Sequence, residues 1–499
     1  MTLSLAGLIA NESLGAVSAQ TGIVSRNISG ASVQGYSAKI PQLVTSDHGT
    51  PSIVGVARQA DSALLKSLLA ANAEQAGSTA VSDGLRRIEQ FLNVALDGPS
   101  AVDSSASPAA AISNLSSALQ AYSASPNDPI AADNALARAK DLAKSLNGAS
   151  GMIQDVRQQA DQSIQQSVAH VNDVLAKFER VNKDIVVGMA AKADVTDMLD
   201  ERDRLLSELS TEIGIATVQR PSGDMVIYTD GGVTLFEMTP RAVSFQPTPS
   251  FAAATPGAGV QIDGVRVVGA PNSQLAARSG RLVGLAQLRD ELAPRFQTQV
   301  DEVARGLVQA FSESDQTGSG APTLPGLFTY DGATVSPGPG AITGLAARII
   351  VNPTVDPAQG GDSSRLRDGG ASSPGAPEYV YNATGASGFS DRLLQLVDAL
   401  AAPQAFDAAA GLRLQDSVAS FAADSMGWLA AQRQQVETKQ TFQSAVVNQT
   451  SQALSNASGV NLDDQMSKML ALENSYQASA KLLAAVNAMY STLFEAIRV

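Results

Sequence analysis

Two stretches at opposite ends of the chain carry apolar or small residues at alternating steps of four and three. Near the N-terminus the positions are Leu3, Gly7, Ala10, Leu14, Val17, Thr21, Val24 and Ile28. Near the C-terminus they are Met469, Leu472, Tyr476, Ser479, Leu483, Val486, Tyr490, Leu493 and Ile497, with only Ser479 interrupting the apolar run. Such a repeat predicts a helix with a seam that some partner covers. Within the chain the best partner for each seam is the other one, so the chain is expected to run out and return with its ends side by side. The N-terminal helix and its turn are expected over 1–45, with Gly35-Tyr36 as the stop, and the C-terminal helix over 459–499.

The interior changes period twice. Residues 46–210 read as the first part of a helical domain, with faces such as Leu85, Ile88, Leu92 and Ala95, or Ile112, Leu115, Leu119 and Tyr122. Asp128-Pro129 opens a helix, because proline suits a first turn; Ile164, Val168, Val171, Leu175 and Phe178 lie along it, and Val195 to Leu209 forms a shorter run. From 211 to 278 alternation and turn residues predict a β-rich insert, with a type I′ hairpin at Val260–Val268 about Asp263-Gly264. Helix returns over 279–313. Residues 314–388 are rich in Gly, Pro, Ser and Asp and read as loops with short strands at Arg348–Val351 and Tyr379–Tyr381. Residues 389–458 complete the helical domain. The fold class expected is multidomain α+β: paired terminal helices resembling a coiled coil, a helical bundle domain and an inserted β-rich domain.

Composition narrows the function. In 499 residues, 34 Lys and Arg face 48 Asp and Glu, a net charge of −14 that lacks the basic footprint of a nucleic-acid binder. Aromatic residues make up 4%, which suits thin helical layers better than one thick core. With no cysteine there is no disulfide framework and no thiolate chemistry. No apolar run is long enough to span a bilayer. The first 25 residues carry a single charge, Glu12, so the positive region of a cleaved secretory signal is missing.

The two histidines, His48 and His170, cannot form a His-Glu-x-x-His zinc site, and His170 reads as a solvated helix residue. No Gly-x-Ser-x-Gly elbow and no phosphate-binding Gly-x-x-x-x-Gly-Lys loop occurs. Asp230-Gly231-Gly232 reads as a hairpin turn and not as a calcium loop. Asp463 and Asp464 fall where a helix begins and complement its dipole. No catalysis, cofactor or metal is expected.

Several segments carry a resemblance. Residues Asn27-Ile28-Ser29-Gly30-Ala31-Ser32-Val33-Gln34-Gly35-Tyr36-Ser37 resemble the stretch Asn-Ile-Ala-Asn-Ala-Asn-Thr-Pro-Gly-Tyr-Ser of the axial proteins of the bacterial flagellum, matching at Asn27, Ile28, Ala31, Gly35, Tyr36 and Ser37. Gly459-Val460-Asn461-Leu462-Asp463-Asp464 and Tyr476-Gln477-Ala478-Ser479-Ala480 resemble C-terminal elements of the same family. Asp197 to Ser210, with its Leu-Asp-x-Arg-Asp core, and Gly280-Arg281-Leu282 through Arg289-Asp290 are similar to interior segments of its hook-associated branch, which favours that branch over hook or distal rod proteins. The resemblance implies a structural protein of the hook–filament junction that assembles with copies of itself. It implies contact with the hook protein below and a second hook-associated protein above, and an export chaperone on the C-terminal helix. It further implies extracellular location by way of the flagellar type III apparatus.

Overall fold

The computed structural model describes residues 3–47, 49–93, 107–269, 273–335, 340 and 342–497; His48 and Ala95 fall outside them, as does the side chain of Ile497. Helix α1 (Leu3–Gly30) leads into a two-stranded antiparallel ribbon, β1 (Lys39–Thr45) and β2 (Pro51–Arg58). Four body helices follow: α2 (Ser62–Asn93), α3 (Pro108–Ala124), α4 (Pro129–Ala190) and α5 (Thr196–Glu212). Asp128 caps α4 by accepting from the amide of Ile130 at 2.9 Å, and Pro129 fills the first turn. With 62 residues α4 is about 90 Å long at 1.5 Å per residue, and it is the spine of the body. Its buried stripe, including Leu142, Leu146, Ile153, Ile164, Val174 and Leu175, is covered by α2, α3, α5 and the helices that follow the insert.

The β-rich insert holds two antiparallel sheets. One is β3 (Ile215–Gln219), β4 (Met225–Thr229), β5 (Thr234–Glu237) and β6 (Thr239–Pro240); the other is β7 (Val243–Ser244), β8 (Val260–Ile262) and β9 (Val265–Val268). The expected turn between β8 and β9 has φ of 48° at Asp263 and 83° at Gly264, the two positive values a type I′ turn requires. Phe236 meets Phe178 of α4 edge to face at 4.9 Å, so the first sheet docks on the spine. The irregular segment before β8 is held by Arg157 of α4, which donates to the carbonyls of Ala252 (3.0 Å) and Thr255 (2.5 Å).

The returning helix is α6 (Arg281–Gln287), a π-helical turn (Leu288–Leu292) and α7 (Ala293–Ala310). The π turn carries Arg289, fully buried and paired with Asp161 of α4 at 2.5 Å and Asp290 at 2.7 Å. In 314–388 the strands β10 (Phe328–Thr329) and β11 (Ile350–Val351) pair, and a single turn forms α8 (Arg365–Asp368). The strand expected at Tyr379–Tyr381 is not formed. Pro377–Tyr379 is a 3-10 turn instead, with one isolated bridge between Gly369 and Val380. The tyrosine ring is buried there, and its hydroxyl donates to the carbonyl of Pro322 at 2.8 Å. Helix α9 (Asp391–Ala401) and the pair β12 (Gln404–Ala405) and β13 (Gln415–Asp416) precede the long α10 (Val418–Ser458) and α11 (Leu462–Ile497).

The chain is thus α+β, with terminal helices, a central helical region and small antiparallel sheets. Helices α2 and α10 run antiparallel, Gln75 opposite Ser444 (2.9 Å) and Thr79 opposite Gln440 (3.2 Å), and carry the body to the terminal pair.

Candidate assembly site

Helices α1 and α11 pack antiparallel along most of their length. A Cβ on Gly7 would lie 3.5 Å from Val486, Ser13 Oγ is 3.1 Å from Ser479 Oγ, and Asn27 bonds Gln465 at 3.0 Å. Every N-terminal seam residue is buried or half-buried: Ala10, Val17 and Val24 are buried, and Leu3, Leu14 and Ile28 are half-buried. The helix stops at Gly30, five residues before the expected Gly35-Tyr36.

The C-terminal seam is only partly covered. Val486 is 3% exposed, and Met469, Leu472, Leu483 and Tyr490 are half-buried, while Tyr476 and Leu493 keep 50% and 46% of their surface in solvent. Further apolar side chains of α11 lie open on either side of the seam. Leu482 and Met489 flank it on Leu493's side; Leu462, Met466, Leu470 and Phe494 flank it on the other. On α1 a second stripe keeps the same four-and-three step: Ser4, Leu8, Asn11, Gly15, Ser18, Gly22, Ser25 and Ser29 are all exposed. All but Leu8 and Asn11 are small, so another helix backbone could approach closely there. A single α1–α11 pair thus leaves two kinds of surface uncovered: apolar knobs on α11 and a flat stripe on α1.

The ribbon β1–β2 was not anticipated, although the signal is present: two runs rich in Ile, Val and Thr flank the turn at Ser46–Thr50. It lies along α1, with its tip bound by Glu12, whose carboxylate accepts from the Thr50 hydroxyl at 2.5 Å. Part of the α1 surface is therefore covered from within the chain.

Where the ribbon leaves α1, the quoted N-terminal residues build a joint. Asn27 is 2% exposed and uses all of its bonding capacity. Its amide donates to the Lys39 carbonyl (2.9 Å) and to Gln465; its carbonyl accepts from the Lys39 amide (2.8 Å) and the Tyr36 hydroxyl (3.1 Å). Gly35 takes a φ of +83° in the turn that reverses the chain, which favours glycine there. The Tyr36 ring lies over Gly30, where a Cβ would come within 2.6 Å of it, so the departure from asparagine at that position makes room for the ring. Burial pushes the Tyr36 phenol up to about 12. Ala31 is half-buried within the turn.

The acids of the joint come from α5 and the residues just before it. The Lys39 side chain is fully buried with its ammonium against Asp200, 3.5 Å from Asp197 and beneath the Tyr36 ring. Asp200 also accepts from Ser37, and Arg58 at the end of β2 reaches Asp200 (3.1 Å) and Asp203 (2.6 Å). Burial pushes the Asp203 carboxyl up, against the pull of Arg58. Arg26 of α1 meets Asp194 (2.9 Å) and Asp197 (2.7 Å), and its bond to Asp194 holds it above the usual arginine range.

On the C-terminal side, Gly459 ends α10 where a Cβ would strike the Ser455 carbonyl, and Val460 is half-buried. Asn461 caps α11, its carbonyl accepting from the amides of Asp463 (3.0 Å) and Asp464 (3.2 Å); Leu462 and Asp463 are exposed in the first turn. The Ala38 amide donates to the Ser458 carbonyl at 2.8 Å, closing the joint. Sequence reading located the two terminal segments and the acidic α5 separately. Lys39, Arg58 and Gln465, which bring them together, carried no pattern of their own. His170 lies away from this site and faces Glu208 at 3.2 Å.

Residues 100–327 match the family described as the helical domain of flagellar hook-associated protein FlgK, and residues 451–495 match the C-terminal family of flagellar basal body rod FlgEFG proteins. Flagellar hook-associated protein 1 of Salmonella typhimurium is 23% identical over 317 residues, covering 61% of this chain and 55% of the relative. Its counterpart in Escherichia coli K12 is 23% identical over 331 residues, covering 63% and 58%. The chain thus spans little more than half the length of these relatives. The solved structure of the flagellar hook junction protein FlgK from Burkholderia pseudomallei shares the fold, with a TM-score of 0.55 and 14% identity over 78% of this chain and 99% of that one.

Proposed function

We propose, from the matches at 100–327 and 451–495 and the hook-associated relatives, that this chain is a non-catalytic structural subunit of the junction between flagellar hook and filament. Copies join through the surfaces of α1 and α11 that one chain leaves uncovered. The observation that carries this reading is the exposure of Leu482, Met489, Leu493 and Phe494 around a helix pair whose other member turns a stripe of small residues outward. Covering each half-exposed apolar side chain is worth about 1 kcal/mol. One pair gains little from this, and a ring of pairs, each covered by its neighbours, gains it many times over.

The match at 451–495 fits a C-terminal module shared along the axial structure, and the match at 100–327 favours the hook-associated branch over rod or hook protein. On this reading the partners are copies of the chain, the hook protein, a second hook-associated protein and an export chaperone that covers α11 before assembly. The location is the flagellum outside the cell, reached through the flagellar export apparatus. Among the described residues no helix is long and apolar enough to cross a membrane.

The test is complementation of a deletion strain. Cells lacking the gene should carry hooks without filaments, and the wild-type gene should restore filaments. Leu482→Asp with Met489→Asp, both on solvent-facing positions, should leave a folded chain that does not restore them. Filaments at wild-type number with the double variant would sink the interface. Loss of hooks in the deletion strain would reassign the chain to the hook or rod.

A further inference from the structure

The terminal pair is joined to the body by the segments 31–38, 59–61 and 459–461 and by side-chain contacts with α5. Helix α5 works on two sides. Toward the pair, Asp200 and Asp203 hold Lys39, Arg58 and Ser37, and Asp194 and Asp197, at and just before its start, hold Arg26. Toward the insert, Arg202 is 1% exposed and donates at 2.7 Å to the carbonyl of Gly223, in the turn between β3 and β4. Asn182 braces the same turn: its amide donates to Asp224 at 2.7 Å and its carbonyl accepts from the Met225 amide at 3.2 Å. Asp200 and Asp203, three residues apart, share one face of the helix, and Arg202 between them points to another side.

A buried ionic cluster is a weak stabiliser and a strong selector of geometry, because its charges are satisfied in one arrangement only. Lys39, fully buried, can leave Asp200 only by stranding its charge. Arg202 is more constrained still. Among the described residues it has no carboxylate within ion-pair distance and its buried Nε is unpartnered, so it is held by the Gly223 carbonyl at 2.7 Å and, at 3.5 Å, by the side-chain carbonyl of Asn182, which braces the same turn. Burial lowers its pKa to about 10, although it lies in a helix rich in acids. An apolar contact at either place would have allowed sliding.

We infer that α5 is a two-sided clamp: Asp200 and Asp203 are positioning residues that set the direction of the α1–α11 pair, and Arg202 ties that direction to the β-rich insert, so that pair and insert move as one body. The inference concerns the single chain and stands apart from the junction reading.

The absence of cysteine makes the test direct, since introduced cysteines are the only labelling sites. Nitroxides at Ser18→Cys on α1 and Val218→Cys on β3, both exposed, report the distance between pair and insert by pulsed electron resonance. The parent should give one narrow distribution. Asp200→Asn with Asp203→Asn should broaden it at least twofold, and Arg202→Met should do the same. The control distances, Ser18 to Leu482 within the pair and Val218 to Val265 within the insert, should stay narrow, with an unchanged circular dichroism spectrum. Asp203→Glu should restore the narrow distribution. If the double variant does not fold, Arg58→Gln loosens the same face from the ribbon side and should broaden the distance too. A Ser18–Val218 distribution that stays narrow and centred in a folded variant of either face overturns the clamp, whatever the variant does in filament assembly.

Discussion

Three glycines in α1 give the sharpest perturbation. Gly7, Gly15 and Gly22 sit inside a 28-residue helix, where each costs about 0.8–1.0 kcal/mol relative to alanine. Nothing in the single chain requires them. A Cβ on Gly7 would make an ordinary 3.5 Å contact with Val486, and no atom lies within 4 Å of one on Gly15 or Gly22. Replacing all three by alanine should therefore stabilise α1 by roughly 2–3 kcal/mol and slow amide hydrogen exchange across it by about thirty- to a hundred-and-fiftyfold. The same variant should assemble poorly, because Gly15 and Gly22 lie on the outward stripe where a neighbouring helix backbone is expected to approach. Hydrogen exchange on the isolated chain reads the first effect, and filament counts in complemented cells read the second. Exchange that is unchanged or faster would refute the geometry of the pair. A stabilised helix with full assembly would refute close contact along the stripe.

Asn27→Ala leaves the Lys39 amide and carbonyl, the Tyr36 hydroxyl and Gln465 without their partner; a loss of about 2–4 kcal/mol local to the joint should show as faster exchange in 31–39 with the body unaffected. Gly280→Ala should destabilise the body by about 2–3 kcal/mol in urea denaturation, because Gly280 has a φ of +107° and a Cβ there would come within 2.5 Å of Ile213 Cα. Asp301 is 1% exposed, and burial raises its carboxyl from 3.8 to about 6, even though it accepts from the amides of Gly344 and Ala346. A folded-state value above the unfolded one means that the protonated group favours the fold. Its contribution, about 3 kcal/mol at most, is present below pH 4 and lost as pH rises through 6. Urea midpoints of the parent should accordingly fall, relative to Asp301→Asn, between pH 4 and pH 7. A parallel pair of profiles would show that Asp301 titrates normally.

The parts of this fold that were legible in the chain are those with a long period or a stereochemical signature. Heptad spacing located α1 and α11, Asp128-Pro129 located the start of α4, and Asp263-Gly264 located a type I′ turn, because each rests on residues adjacent in sequence. The ribbon, although its strands of seven and eight residues are the longest among the described residues, was hidden by exposed apolar residues such as Leu43 and Val54, which give no one-sided alternation. Helix α1 ends early because Tyr36 folds back over Gly30, a contact across six residues that no propensity encodes. The joint was illegible for a plainer reason. Lys39 and Asp200 are 161 residues apart, and nothing in the neighbourhood of either says that the other is its partner. Likewise Tyr379 is drawn out of the expected strand by a carbonyl at Pro322, 57 residues earlier.

On the proposed function, the outward stripe of α1 becomes an interface between copies. Ser18→Cys places one thiol at the middle of that stripe, nearly isosteric with the serine, in a chain that has no other. Its rate of modification by a small maleimide, measured on the isolated chain and on hook–filament junctions from the same cells, tests the claim directly. Rapid labelling of the isolated chain and protection by at least tenfold in the assembled junction is the expected result. Equal rates in the two states would contradict it.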